Sequence, residues 1–211
     1  MTDKNKTDIT VVLDRSGSMF QIQGDMVGGF NRFVGEQAKQ PGECLFSLYR
    51  FDHHFETVFE GLNAWQVPPL ELVPRGNTAL LDAVGRAIVA TGQRLAALPE
   101  DQRPGAVIFM IITDGQENAS TEYTYAMVQD AIARQKSEFN WQFVYLGSDL
   151  STSREAQRLG TQALNYQANA QGVGAMYASM DCAVSSLREV TRRGVGDAQL
   201  EIEPKHDGDP A

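Results

Sequence analysis

Basic residues are in the minority in this chain: 18 Lys and Arg stand against 27 Asp and Glu, a formal net charge of -9. Duplex DNA and anionic membranes are gripped by clustered Lys and Arg, so neither nucleic acid nor a membrane is an expected partner. A cation is. Cysteine is scarce too. Cys44 and Cys182 lie far apart, with no C-x-x-C and no metal-ligand spacing. We expect both to be buried thiols, a bridge being the less favoured outcome in a reducing compartment. Long apolar runs are missing altogether. No segment reaches the roughly 20 residues of a membrane helix, and Ile9–Leu13, after the polar Met1–Asp8, is too short for a signal-peptide core. The expected location is the cytoplasm.

The 211 residues, 42% of them hydrophobic, suffice for one substantial core. We expect one domain over residues 1–193. Residues 194–211, acidic and rich in Gly, Pro and Asp, read as a disordered tail. The body shows neither an internal repeat nor a low-complexity block.

Along the body, strand and helix patterns alternate. Ile9–Leu13 suits a buried strand. Gly17, Gly24, Gly28 and Gly29 then mark a loop and a loose helix start, and Met26, Val27, Phe30, Phe33, Val34 and Ala38 recur at helical spacing until Pro41-Gly42. Cys44–Phe51 and Phe55–Phe59 read as a hairpin broken by Asp52-His53-His54. Pro68, Pro69 and Pro74 make the next stretch irregular. Leu81, Val84, Ile88, Thr91 and Leu95 form an amphipathic helix with Thr78 at its N-terminus. Ala106–Thr113 is the most continuous apolar strand and the candidate centre of the sheet. A helix capped by Ser120 or Thr121, with Tyr125, Val128 and Ile132 inward, precedes a strand at Trp141–Leu146. A short helix near Ser153–Leu159, a weak strand near Gln162–Tyr166 and a docking helix over about Gln171–Arg192 complete the body. The alternation predicts a three-layer α/β/α fold, doubly wound around a mostly parallel sheet with one antiparallel edge strand.

Such sheets place ligands beyond the C-terminal ends of their strands. Three pieces end there: Asp14-Arg15-Ser16-Gly17-Ser18 after the first strand, Thr78 at a helix start, and Thr113-Asp114-Gly115 after the central strand. In this combination the chain resembles the von Willebrand factor type A family. The match is D-x-S-x-S, a later threonine and an aspartate closing a buried strand, the pattern of that family's metal-ion-dependent adhesion site, over roughly Thr7–Arg192. The resemblance implies that Ser16, Ser18 and Thr78 ligate Mg²⁺, or Mn²⁺ or Ca²⁺, through their hydroxyls, with Asp14 and Asp114 acting mostly through bound water. It further implies a non-enzymatic module that binds a protein partner through the partner's Asp or Glu carboxylate. It also implies that the last helix can slide; its Gly172, Gly174, Ala175, Met176, Ala178, Ser179 and Met180 are small or flexible, yet we read this helix as statically packed.

The donor types agree with that chemistry independently. Mg²⁺ takes six oxygens at about 2.1 Å and keeps several waters. Hydroxyls are neutral, so an ion held by them stays electrophilic toward an incoming carboxylate. Turn-forming Asp and Ser alone would be a bland explanation of Asp14, Ser16 and Ser18, as N-capping would be of Thr78 and a strand-end turn of Asp114.

Two rival readings remain: a metal-dependent hydrolase or phosphotransferase using Asp14, and a domain of this type that binds partners without metal. The first lacks a second acid two residues after Asp14, where Ser16 stands, and lacks an evident Lys. Asp52, His53 and His54 suggest a second metal site, but neighbours on a strand point to opposite faces, which favours a solvated hairpin tip. Gln116, Glu117, Asn118 and Asp149 are candidates for partner contact or water positioning, and Arg15 and Met19 for exposed parts of the binding surface.

Overall fold

Two apolar runs lie side by side at the middle of the sheet. They are β1 (Asp3–Asp14) and β4 (Pro104–Thr113), paired in parallel with Val11 opposite Met110 and Leu13 opposite Ile112. The computed structural model describes residues 1–148, 151–194 and 198–203. On the other side of β1 lies β2 (Glu43–Phe51), with β3 (Phe55–Asn63) antiparallel at the edge; beyond β4 lie β5 (Gln142–Gly147) and β6 (Gln162–Asn165), giving the order β3-β2-β1-β4-β5-β6. Among the described residues only the β2/β3 pairing is antiparallel, as the sequence pattern predicts.

Because side chains alternate along a strand, the buried runs feed two cores. Ile9, Val11 and Leu13 of β1 and Ile108, Met110 and Ile112 of β4 pack on one face beneath α1 (Gln23–Lys39) and α5 (Ala170–Arg193). Val12, Val107, Phe109 and Ile111 pack on the other beneath α2 (Leu80–Ala96), α3 (Tyr125–Phe139) and α4 (Thr152–Leu159). The result is the three-layer α/β/α arrangement.

Four local expectations need correction. Gly24, Gly28 and Gly29 do not loosen a helix start: residues Gly17–Ile22 form a 3-10 segment, and the three glycines lie inside α1. Gly29 is there because a Cβ would overlap the Tyr177 ring of α5. The cap of α3 is Thr124, whose side chain accepts the Met127 N–H, because Ser120 and Thr121 are engaged elsewhere. Cys182 is exposed while Cys44 is buried, its thiol pushed up to about 12 chiefly by burial; both are free thiols.

The tail is the fourth. Leu200 is 1% exposed, its N–H donates to Gln142 Oε1 at 3.1 Å and its carbonyl accepts Gln162 Nε2 at 2.8 Å. Residues 198–203 therefore dock at the β5/β6 side of the sheet and are not disordered, while 195–197 and 204–211 lie outside the described residues. Among the described residues no helix is long and apolar enough to cross a membrane.

Candidate metal centre

The parallel pairing of β1 and β4 carries their C-terminal ends to one rim, where Asp14 and Thr113 are the last strand residues. Asp14 is fully buried. Its Oδ2 accepts the Thr113 hydroxyl at 2.6 Å and its Oδ1 accepts the Ser16 N–H at 2.6 Å. The Ser18 hydroxyl donates to Asp114 Oδ1 at 2.6 Å, and the Ser16 and Ser18 hydroxyls lie 3.0 Å apart. Thr78, 3% exposed, comes from the loop just before α2 rather than from the helix itself.

Gly115 shows how tightly these groups converge. A methyl group placed there would lie 2.9 Å from Thr78 Oγ1, 3.3 Å from Asp14 Oδ2 and 3.3 Å from Ser16 Oγ. Oxygens from two separate chain segments, Asp14–Ser16 and Thr78, thus approach one point beside Gly115 of a third, where a side chain would crowd them. All five residues read from the sequence as ligands are brought together.

The loops around them are tied down by groups whose role the sequence does not reveal. Asn118 and Thr78 exchange hydrogen bonds: the Thr78 N–H donates to Asn118 Oδ1 and the Asn118 N–H donates to the Thr78 carbonyl, both at 3.0 Å. Glu117 accepts the N–H groups of Leu81, Ala119 and Ser120 and the Ser120 hydroxyl. Asp82 accepts three consecutive N–H groups, from Thr121, Glu122 and Tyr123. Burial alone would raise the Asp82 carboxyl, but these three donors hold it below its ordinary value. Glu117 and Asn118, expected to meet a partner or position water, therefore lash the loop after β4 to the first turn of α2. Asp149 lies outside the described residues.

Arg15 and Met19 are not the exposed rim residues the sequence suggested. Met19 is fully buried, and Arg15, 8% exposed, turns inward to pair with Glu56 at 2.9 Å and approach Asp52 at 3.3 Å. Phe20 is the exposed neighbour, at 72%. The periodicity of a strand does not extend to a 3-10 turn, so alternation could not place these side chains.

Electrostatically the centre is acidic, with the Asp14 and Asp114 carboxylates near one another. The Asp14 carboxyl is pushed up to about 6, first by burial and further by the nearby Asp114, against hydrogen bonds from Thr113 and Ser16 that pull it down. Three neutral hydroxyls and two carboxylates form an all-oxygen set, the donor chemistry of a hard divalent cation. The residues present fit such an ion.

The hairpin tip departs from expectation as well. Asp52 is fully buried, and both imidazoles turn to the same carboxylate oxygen: His53 Nδ1 lies 3.5 Å and His54 Nδ1 3.4 Å from Asp52 Oδ1. The reason is local. The Asp52 N–H donates to the His54 carbonyl and the His54 N–H returns to Asp52 Oδ1 at 2.6 Å, a turn in which strand alternation no longer holds.

No family model matches the sequence, and no curated protein matches it. Solved structures do resemble it. A von Willebrand factor type A protein from Catenulispora acidiphila superposes with a TM-score of 0.57 at 15% identity, over 85% of this chain and 42% of that one. The pilus adhesin SpaC from Lactobacillus rhamnosus GG, in its open conformation, gives 0.64 at 14% identity, over 85% and 30%. The manganese-loaded Plasmodium vivax TRAP protein gives 0.57 at 10% identity, over 82% and 72%. This chain spans less than half the length of the first two. At such identities the likeness is one of fold, and the fold is the one implied by the resemblance read in the sequence.

Proposed function

We propose that the chain is a divalent-cation-dependent protein-interaction module. Ser16, Ser18 and Thr78 would supply hydroxyl oxygens to Mg²⁺, with Mn²⁺ and Ca²⁺ as alternatives, while Asp14 and Asp114 balance its charge, mostly through bound water. The observation that carries this reading is the convergence on Gly115, where Thr78 Oγ1, Asp14 Oδ2 and Ser16 Oγ all come within 3.3 Å of one point. A neighbour in fold that is manganese-loaded, the TRAP protein, supports the choice of a divalent ion.

Bound here, the ion would offer an open coordination position to an oxygen anion. The chain's own part is to hold the site rigid and leave that position unfilled: Asn118 fixes Thr78, Thr113 fixes Asp14, and Ser18 is the exposed edge through which a partner's Asp or Glu would arrive. An acidic protein thereby acquires affinity for another carboxylate, which its net charge of -9 would otherwise oppose.

The hydrolytic rival draws no support from Asp14. Its side chain is fully buried and already held at both oxygens, by the Ser16 N–H and the Thr113 hydroxyl, which suits a fixed charge-balancing group better than an attacking nucleophile. A cytoplasmic location is proposed from the sequence alone.

Pull-down from the host with Mg²⁺ or with EDTA, using Ser16→Ala as the control, tests the proposal. Partners retained only with Mg²⁺, and lost in the variant, are the expected result. Retention indifferent to EDTA would instead favour metal-free binding, and calorimetry showing no heat with Mg²⁺, Mn²⁺ or Ca²⁺ would end the metal reading.

A further inference from the structure

We propose that the β2/β3 hairpin tip is a second metal site, for a borderline divalent ion such as Zn²⁺, built from Asp52, His53 and His54 and distinct from the all-oxygen centre. The three side chains each present one ligand atom, and these atoms lie within 4.8 Å of one another. The spacing is informative. Distances of 3.5 and 3.4 Å between each imidazole Nδ1 and Asp52 Oδ1 are long for hydrogen bonds. They match the edge of a tetrahedron whose centre lies about 2.05 Å from each corner, which is about 3.35 Å for zinc bound by nitrogen and oxygen.

Two further features suit the site to an ion. The carboxylate is fixed: Arg75 Nε donates to its Oδ2 at 2.9 Å and the His54 N–H donates to its Oδ1 at 2.6 Å. The Arg75 and Arg15 guanidinium groups both approach Oδ2, which leaves Oδ1 turned toward the imidazoles, and Arg15 is itself neutralised by Glu56. This is the hydrogen-bonded carboxylate typical of the surroundings of a bound metal. The imidazoles, in turn, are open to solvent, with side-chain exposures of 49% for His53 and 67% for His54. Their ring centres are 4.0 Å apart, and a Cβ at Gly76 would press on His53 Nδ1, so the loop before Thr78 leaves room for the ring.

Imidazole donors select zinc, copper or nickel over magnesium, whereas the hydroxyl and carboxylate donors of the rim select the reverse. Three protein ligands leave a fourth position for water, the pattern of an accessible rather than a structural zinc site. The proposal does not depend on the function assigned to the rim, because the two donor sets share no residue.

Calorimetric titration of Zn²⁺ into the full chain, with Mg²⁺ present in excess, tests it at pH 7.5. One equivalent should bind, with affinity reduced about tenfold or more by His53→Ala or His54→Ala, and abolished in the double variant. Both histidines are exposed, so these variants should keep the fold. Asp114→Ala and His206→Ala, the latter removing the chain's third histidine, should leave the Zn²⁺ heat unchanged. No Zn²⁺ heat in the wild type, heat that persists in the double histidine variant, or heat lost on Asp114→Ala or His206→Ala would each overturn the assignment.

Discussion

Gly115→Ala is the most direct probe of the rim, because it adds one methyl group where the oxygens converge. Gly115 does not sit in the left-handed backbone region, so alanine introduces no backbone strain. Its Cβ would lie 2.9 Å from Thr78 Oγ1 and 3.3 Å from Asp14 Oδ2 and Ser16 Oγ. The first distance is roughly 0.4 Å inside an ordinary carbon–oxygen contact, so Thr78 must retreat by a few tenths of an ångström. Metal–ligand distances hold to within about 0.2 Å, and Mg²⁺ in particular demands near-ideal geometry. The variant should therefore fold but bind Mg²⁺ poorly, and it should suffer less with Ca²⁺, whose longer and more flexible coordination tolerates displaced oxygens.

Thermal unfolding gives the scale. At a concentration one hundred times its dissociation constant, an ion that binds only the folded state adds about 2.7 kcal/mol. For a chain of this length each kcal/mol moves Tm by about 2–4 °C, so the wild type should gain about 5–11 °C from Mg²⁺ over EDTA. Gly115→Ala should show almost none of that gain while matching the wild type closely in EDTA. A full Mg²⁺ gain in the variant would refute the placement of the ion among these oxygens.

Asn118→Ala removes the acceptor that positions Thr78 while leaving every proposed ligand residue in place, and should weaken Mg²⁺ binding about 10- to 100-fold by calorimetry. The Asp14 carboxyl, raised to about 6 from 3.8, binds its proton more tightly in the folded than in the unfolded chain. Its contribution to metal-free stability is therefore greatest at low pH and is lost as the pH rises through 6, whereas the Mg²⁺-induced gain in Tm should be small below pH 6 and grow above it. Leu200→Ala should cost about 2–5 kcal/mol in urea unfolding, the range for an emptied leucine site, where a disordered tail would cost nothing. Hydrogen exchange in α5 should be the same with and without Mg²⁺, and slower exchange confined to the rim loops would be the visible effect of the ion.

What the sequence disclosed was whatever depends on short-range pattern. The runs Ile9–Leu13 and Ala106–Thr113 announce central strands because both of their faces are apolar, and the rim residues follow because each directly succeeds a strand or precedes a helix. What it hid depends on partners distant in the chain. Gly29 reads as a helix breaker until Tyr177, far along the sequence, is seen filling the space it leaves. Ser120 reads as a cap until Glu117 and Asp82 claim it. Leu200 stands in an acidic stretch with no period to mark it, and only the open edges of Gln142 and Gln162 explain its docking. At Asp52-His53-His54 alternation does not apply, since it belongs to strands and these residues form a turn.

The same distinction bears on α5. Its small residues suggest a surface that could slide, but sliding is governed by what the large ones hold. Tyr177 lies against Gly29 and its hydroxyl donates to Met26 Sδ at 3.2 Å. Arg188, 5% exposed, donates through one nitrogen to both the carbonyl and the side chain of Gln37 at 2.8 Å, and through the other to the carbonyls of Pro41 and Gly42 at 3.2 Å. Gln37 reaches back to Asp181 and Ser185 of the same helix. A shift of one turn, about 5.4 Å, would break all of these at once and leave a buried guanidinium without acceptors, a loss of several kcal/mol when each charged hydrogen bond contributes about 1.5–3. An ion can shift an equilibrium only by its differential affinity for the two states, and about 2.7 kcal/mol at one hundred times its dissociation constant does not offset that loss. If the proposed function holds, control of partner binding would lie in the rim loops, tied by Asn118, Glu117 and Asp82, and not in the helix behind the sheet.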